Sequence, residues 1–295
     1  MNELRQQVIQ DLAGAGCAPL HRLGQNFMVD RHALDALCGE LGAAPGVRVV
    51  EIGPGTGILT ARLLHAGCAV LAIELDHGLA GLLQRTFAAE IVRGGVRGCA
   101  GLTLIHGDCL ESKSVLHPGI VSFASEPWRL GANLPYDVAL PVLLNAAGLQ
   151  PPARPPDLAV VTVQWEAAQR LCSLPGQDTW GASAAVLQAA GEPALVRRLG
   201  PSSFYPRPRV DSAILRWRPR RALAHGFSRF VREVFSSRRK VLTGALRDRG
   251  VSREQAEEAC RACGLDSKRR LESLSAAELV ELHAALGSAA QRTAP

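Results

Sequence analysis

From Val47 onward, short apolar runs alternate with longer mixed stretches: VRVVEIG, GILTARLLHAG, CAVLAIELD, GLAGLLQRTFAAEIV and GLTLIHGD. The runs have strand length and end in glycine or an acid, and the intervals carry apolar residues at helical spacing. Parallel strands need long crossovers, which helices supply, so this alternation predicts a parallel sheet with helices on both faces. Further strands are expected in WRLGAN, LAVVTVQ and DSAILRWRP. Helices are expected around ALPVLLNAAGL and WEAAQRLCSL, and the prolines of GPSSFYPRPRV fix an extended loop. The sheet domain is expected over residues 1–219.

Beyond Pro219 only helical periodicity remains, in FSRFVREVFSSRRKVLTGALRDRG, SREQAEEACRACGL and SAAELVELHAALG. Ser252 and Ser275 suit N-caps, and Gly250, Gly264 and Gly287 suit stops. A small all-helical domain is therefore expected over residues 220–295. Its start is strongly basic: residues 216–249 hold eleven Arg or Lys against Glu233 and Asp248, a local +9 in a chain whose total is +6. Such a concentration suits a polyanion partner; a solvated helix face has the same composition.

Hydrophobic residues at 47% and charged residues at 20% support packed cores and exclude global disorder. The opening MNELRQQVIQDLAG is not a cationic stretch followed by an apolar one, and no apolar run approaches the roughly eighteen residues of a membrane span. A soluble, cytoplasmic protein is expected. Eight cysteines are scattered, with one CxxC at Cys260 and Cys263 and no second pair to complete a zinc site, so no metal is expected.

The glycines of VVEIGPGTGILTARLL, Gly53, Gly55 and Gly57, stand between a strand and a helix, where missing side chains let backbone N–H groups approach a ligand. Dehydrogenases, methyltransferases and some ligand-free α/β proteins share this feature. Two acids narrow it. Glu74 ends the second strand, where a carboxylate accepts from both ribose hydroxyls, and Asp108 follows the third, within reach of an adenine amino group. After the fourth strand comes Asn-Leu-Pro-Tyr, residues 133 to 136.

That tetrapeptide suits an amine made poorly nucleophilic by conjugation with an adenine ring. Asn133 offers a side-chain carbonyl, and the backbone carbonyl of Leu134 or Pro135 offers a second acceptor. Held by both, the nitrogen keeps its lone pair for a methyl group. Tyr136 offers a face for a base removed from its stack. A sulfonium methyl donor arrives already activated, so positioning does most of the work.

At these residues the chain resembles the ribosomal RNA adenine N6-dimethyltransferases of the KsgA/RsmA type. The resemblance runs from about Leu23 to about Leu246 through LGQNFMVD, EIGPGTGILT, IELD, GDCL, NLPY, FYPRPRVDSAI and FSSRRKVL, in that order. It implies a Rossmann-like methyltransferase fold with a mostly parallel seven-stranded sheet, followed by the helical domain. It implies S-adenosyl-L-methionine held at Asn26, Met28, Gly53, Glu74, Asp108 and Asn133, and a target adenine between Tyr136 and Phe204. It also implies a substrate: two adjacent adenosines in a hairpin loop near the 3′ end of small-subunit rRNA, each methylated twice. Arg207, Arg209, Arg238, Arg239 and Lys240 become the expected RNA contacts, on a chain expected to act as a monomer.

Three stretches depart from the family pattern: Asp137 after NLPY, Trp180 with Ala182 and Ser183 in PGQDTWGAS, and ESKSVLHPGIVSFASEPW ahead of NLPY. Two other readings stay open at this point. One is an adenine methyltransferase of large-subunit rRNA; the other is an RNA-binding assembly factor with relaxed catalysis.

Overall fold

The computed structural model describes residues 3–91 and 101–292; the side chains of His21, Tyr136 and residues 288–292 lie outside the described set. Seven strands form one sheet: β1 (Arg48–Ile52), β2 (Ala69–Glu74), β3 (Gly101–His106), β4 (Arg129–Asn133), β5 (Leu158–Gln164), β6 (Gly191–Leu199) and β7 (Ser212–Pro219). Their order is β3-β2-β1-β4-β5-β7-β6. The pairs from β3 across to β5 are parallel, and β7 runs antiparallel to β5. β1 is the point of reversal, with β2 and β3 on one side and β4 and β5 on the other. In open sheets of this kind the crevice at that point, at the carboxyl ends of the strands, is where ligands bind.

Of the seven strands of this sheet, β6 alone falls where the sequence predicts no strand. GEPALVRRL carries a proline that cannot donate and two arginines, and it occupies the sheet edge, where neither a full donor set nor two buried faces are needed. β1 and β5, by contrast, are almost wholly buried and read as continuous apolar runs.

The helices that precede and follow these strands are α1 (Glu3–Gly14), α2 (Arg31–Leu41), α3 (Ile58–His65), α4 (His77–Thr86), α5 (Pro118–Phe123), α6 (Tyr136–Ala147) and α7 (Trp165–Leu171). α2 is capped by Asp30, whose carboxylate accepts from His32 N and Ala33 N, and it buries Ala33, Leu34, Leu37 and Leu41 along one stripe. These join Val49, Leu63, Val70, Leu83, Val160 and Ile214 in the main core. The atypical stretch before NLPY folds as a two-stranded hairpin (Leu110–Ser112 with Val115–Leu116) and then α5. It is the crossover between β3 and β4. It ends on Trp128, buried, with its indole N–H donating to the Arg154 carbonyl at 2.9 Å.

Contacts divide the chain into Met1–Ala168 with Ala194–Pro219, and Gln169–Pro193 with Arg220–Pro295. A single cut after Pro219 is therefore too simple. The reason is α8 (Ala182–Ala190), an almost wholly apolar helix whose Ala184, Ala185, Val186, Leu187, Ala189 and Ala190 are buried, and which packs on α9 (Phe227–Phe235) and α12 (Ala276–Arg292). A helix buried all round belongs inside a core, wherever it lies in the sequence.

The second unit also holds α10 (Leu242–Arg247) and α11 (Arg253–Ala262). Ser252 and Gln255 form a capping box at α11, and Ser275 and Glu278 exchange the same pair of bonds at α12. Gly250 and Gly264 take left-handed φ of +80° and +66° beyond α10 and α11. Gly287 is not a stop: α12 runs through it, since one glycine costs a 17-residue helix only about 1 kcal/mol. The first expected helix is in fact two, α9 and α10, separated by the turn through Ser236 to Val241.

Candidate active site

Every residue expected to hold the cofactor lines one cavity of about 300 Å³ in the sheet unit: Asn26, Met28, Gly53, Glu74, Asp108 and Asn133. Leu134, Pro135, Phe204 and Asp137 line it as well. The sheet topology brings them together: Gly53 follows β1, Glu74 ends β2, Asp108 follows β3 and Asn133 ends β4.

Gly53, Gly55 and Gly57 all take positive φ, +63°, +64° and +84°. At Gly55 a Cβ would sit 2.9 Å from the Phe27 ring, so the loop needs glycine for space as well as for backbone shape. Glu74 is nearly buried, and its two oxygens accept from Gly55 N at 3.0 Å and Asp76 N at 2.9 Å. The glycine loop is thus clamped to the acid beside it, and each carboxylate oxygen keeps a lone pair for a ligand.

A second acid lines the cavity. Glu51, 1% exposed, accepts from the Thr60 hydroxyl at 2.7 Å. Burial pushes its carboxyl up to about 8, against the Thr60 bond, which favours the ionised form. Burial raises Glu74 too, against its backbone donors. Glu74 keeps an acceptor on each oxygen for the hydroxyls of a ribose, beside a glycine loop whose backbone a ligand can approach, an arrangement suited to a nucleoside. The residues present fit S-adenosyl-L-methionine.

Asp108 is exposed, with one oxygen accepting from Leu110 N at 2.9 Å. The Asn133 amide donates from Nδ2 to the Asn26 carbonyl at 2.7 Å, and its Oδ1 accepts from the Thr162 hydroxyl. The Pro135 carbonyl accepts from Val138 N and Ala139 N at the start of α6, whereas among the described residues no group donates to the Leu134 carbonyl. Phe204 is only 3% exposed, and its backbone pairs with Met28 in a two-residue ladder. The ring of Tyr136 lies outside the described side chains.

Two participants carry no signal in isolation. Gln25 donates to Asp76 at 3.0 Å and accepts from Leu20 N at 2.7 Å, tying the segment before Asn26 to the cap of α4. Thr162 is the other; its one cue is a hydroxyl inside the apolar run LAVVTV.

The expected RNA contacts fall into two kinds. Arg207, Arg209 and Arg239 are exposed and form no hydrogen bond or ion pair with described residues. Arg238 donates to the Asp178 and Trp180 carbonyls, each at 3.1 Å, and Lys240 pairs with Asp248 at 2.8 Å. Trp180, which departs from the family pattern, is fully buried and meets Phe235 edge-on, so it is a core residue of the helical unit.

The ribosomal RNA adenine dimethylase model matches residues 20–286. The chain belongs to this family. A ribosomal RNA small subunit methyltransferase A of Geobacter metallireducens is 34% identical over 93% of this chain and 98% of its own. A protein of the same description in Leifsonia xyli is 35% identical over 96% and 100%. The solved dimethyladenosine transferase of Plasmodium falciparum has the same fold, with a TM-score of 0.70 at 20% identity over 90% of this chain and 98% of that one. The 23S rRNA methyltransferase ErmE shares the fold less closely, with a TM-score of 0.59 at 21% identity, over 89% and 100%. The family's methyl donor is S-adenosyl-L-methionine. Among the described residues no helix is long and apolar enough to cross a membrane, and no three His, Cys, Asp or Glu side chains gather as metal ligands.

Proposed function

We propose that this chain dimethylates N6 of two adjacent adenosines in the 3′-terminal hairpin loop of small-subunit rRNA, acting as a monomer on ribosomal subunits in the cytoplasm. The observation that carries the reading is Asn133: an amide pinned at both ends, at the end of β4, on the cavity that Gly53, Glu74 and Asp108 also line. The relatives nearest in sequence reported above bear small-subunit names, which favours the small subunit over the large one as the source of the RNA.

When bound, S-adenosyl-L-methionine supplies an activated methyl group. Glu74 would hold its ribose hydroxyls, Asp108 its adenine amine, and Gly53, Asn26 and Met28 would enclose the rest. Asn133 Oδ1 accepts one N–H of the target amine, and the Leu134 carbonyl accepts the other, since the Pro135 carbonyl is already taken by α6. Drawing the N–H protons aside would pull the nitrogen out of conjugation and leave its lone pair free to take a methyl group, a gain from positioning alone. One proton is lost with each transfer, and a single N–H remains to be held for the second. Tyr136 and Phe204 flank the base, and Asp137 stands in the first turn of α6, where the helix dipole favours an acid. Arg239, Arg207 and Arg209 meet phosphates, with Arg238 and Lys240 contributing once RNA competes for their present partners.

Labelled S-adenosyl-L-methionine, unmethylated small subunits and primer extension test this. Label on two adjacent adenosines near the 3′ end is expected. Label confined to large-subunit RNA, or none while the cofactor binds, overturns it.

A further inference from the structure

Thr162 is the only hydroxyl in the buried strand run LAVVTV, and it is 1% exposed. Its neighbours Val161 and Val163 are buried and apolar, and its register partners are Ile214 on β7 and Asn133 on β4. A buried hydroxyl without a partner is destabilising, so a valine would serve this strand better unless the hydroxyl has a task. Its described partner is Asn133 Oδ1.

A carboxamide has two donors and two acceptor lone pairs. Here the Asn26 carbonyl, which can only accept, forces the NH₂ end toward itself, and Thr162 then donates to the oxygen end. A flipped amide would set Oδ1 against the Asn26 carbonyl, acceptor against acceptor. One lone pair and one N–H remain for a ligand. Thr162 does not line the cavity, whereas Asn133 does.

We propose that Thr162 is a positioning residue for methyl transfer, whose hydroxyl holds the Asn133 carbonyl oxygen in the orientation that accepts the N–H of the target amine. The inference rests on the role given to Asn133 above. It goes further by naming the group that fixes where that oxygen points. Without the hydroxyl the amide keeps its tether to Asn26 but can swing about it, and small misplacements of this kind cost rate more than binding.

The test uses the full chain, with kcat, KM for RNA and cofactor Kd measured for Thr162→Val, Thr162→Ser and Asn133→Ala. Thr162→Val is expected to lower kcat about 10- to 30-fold, with KM and cofactor Kd within about twofold of the parent. Thr162→Ser is expected within about threefold of the parent on every measure. In an Asn133→Ala background, Thr162→Val should have no further effect, because the oxygen it positions is gone. Parental kcat in Thr162→Val overturns the proposal, as does a loss confined to KM or cofactor Kd. If Thr162→Val does not fold, Thr162→Cys, a small side chain with a weak donor, reads the same point: activity equal to Thr162→Ser overturns it. The two levels separate cleanly. An active Asn133→Ala defeats the reading of the amide itself, whereas an inactive Asn133→Ala beside a fully active Thr162→Val defeats only the role of Thr162.

Discussion

The cavity of the sheet unit and the basic surface of the helical unit treat their polar residues in opposite ways. In the cavity, Glu51 and Glu74 are desolvated, and burial raises both carboxyls. In the helical unit, the hydrogen bond from Arg229 lowers Glu233, and those from Lys240 and Ser237 lower Asp248. Burial holds the acids of one region toward their neutral form; in the other, bonds to neighbouring cations hold them ionised. The +9 of residues 216–249 therefore overstates what the surface offers to RNA, because Arg238, Lys240 and Arg249 already have partners.

The largest effect expected on this contrast is at Asn133. Asn133→Ala should lower kcat by about a thousandfold or more while cofactor Kd stays within a few-fold, since the lost group acts on the amine in transfer. Calorimetry beside single-turnover assays checks this. Transfer at near the parental rate would mean that the cavity does not work through this amide.

Next is Glu74. Glu74→Ala removes the acceptor for the ribose and the clamp on Gly55, and cofactor Kd should rise roughly 10- to 100-fold, read by calorimetry. An unchanged Kd would put the cofactor elsewhere.

Two adjacent arginines sharpen the contrast within the helical unit. Arg238→Ala strips donors from two backbone carbonyls and should cost roughly 1–3 kcal/mol, seen as a lower melting temperature. Arg239→Ala should leave the melting temperature unchanged, weaken RNA binding several-fold and reduce the slope of log K against log salt by about 1. The reverse outcome would exchange their roles.

The smallest effect is a pH slope. The folded carboxyl of Glu51 titrates near 8, above its unfolded value of 4.5, so between these the folded state binds the extra proton. Its contribution to stability is complete below about pH 4.5 and is lost as pH rises through 8. Urea midpoints should fall across this window in the parent, and Glu51→Gln should flatten the slope. An identical slope in both would mean that Glu51 ionises freely in its pocket.

Much of this was legible along the chain. Six strands, the glycine loop and the acids at strand ends follow from period, length and end residues, because a buried parallel strand must be apolar throughout. The edge strand β6 was not legible, since an edge tolerates Pro193 and two arginines. Nor was the membership of α8 in the helical unit, because apolar composition says that a helix is buried and not which core buries it. The hairpin and α5 look like an insertion in sequence and turn out to be the crossover between β3 and β4.

The sequence by itself determined the sheet's parallel character, the helical C-terminal region and the strand-end residues Gly53, Glu74, Asp108 and Asn133 on the cavity, because alternation and strand ends are local and the order of crossovers then brings those ends together. Only the tertiary structure decided which atoms of those residues stay available. Asn133 meets Thr162 across two strands, the Pro135 carbonyl is taken by α6, and Arg238 is turned inward while Arg239 is exposed. Hydrogen-bond partners far apart in the chain are chosen by packing, and no period in the sequence records that choice.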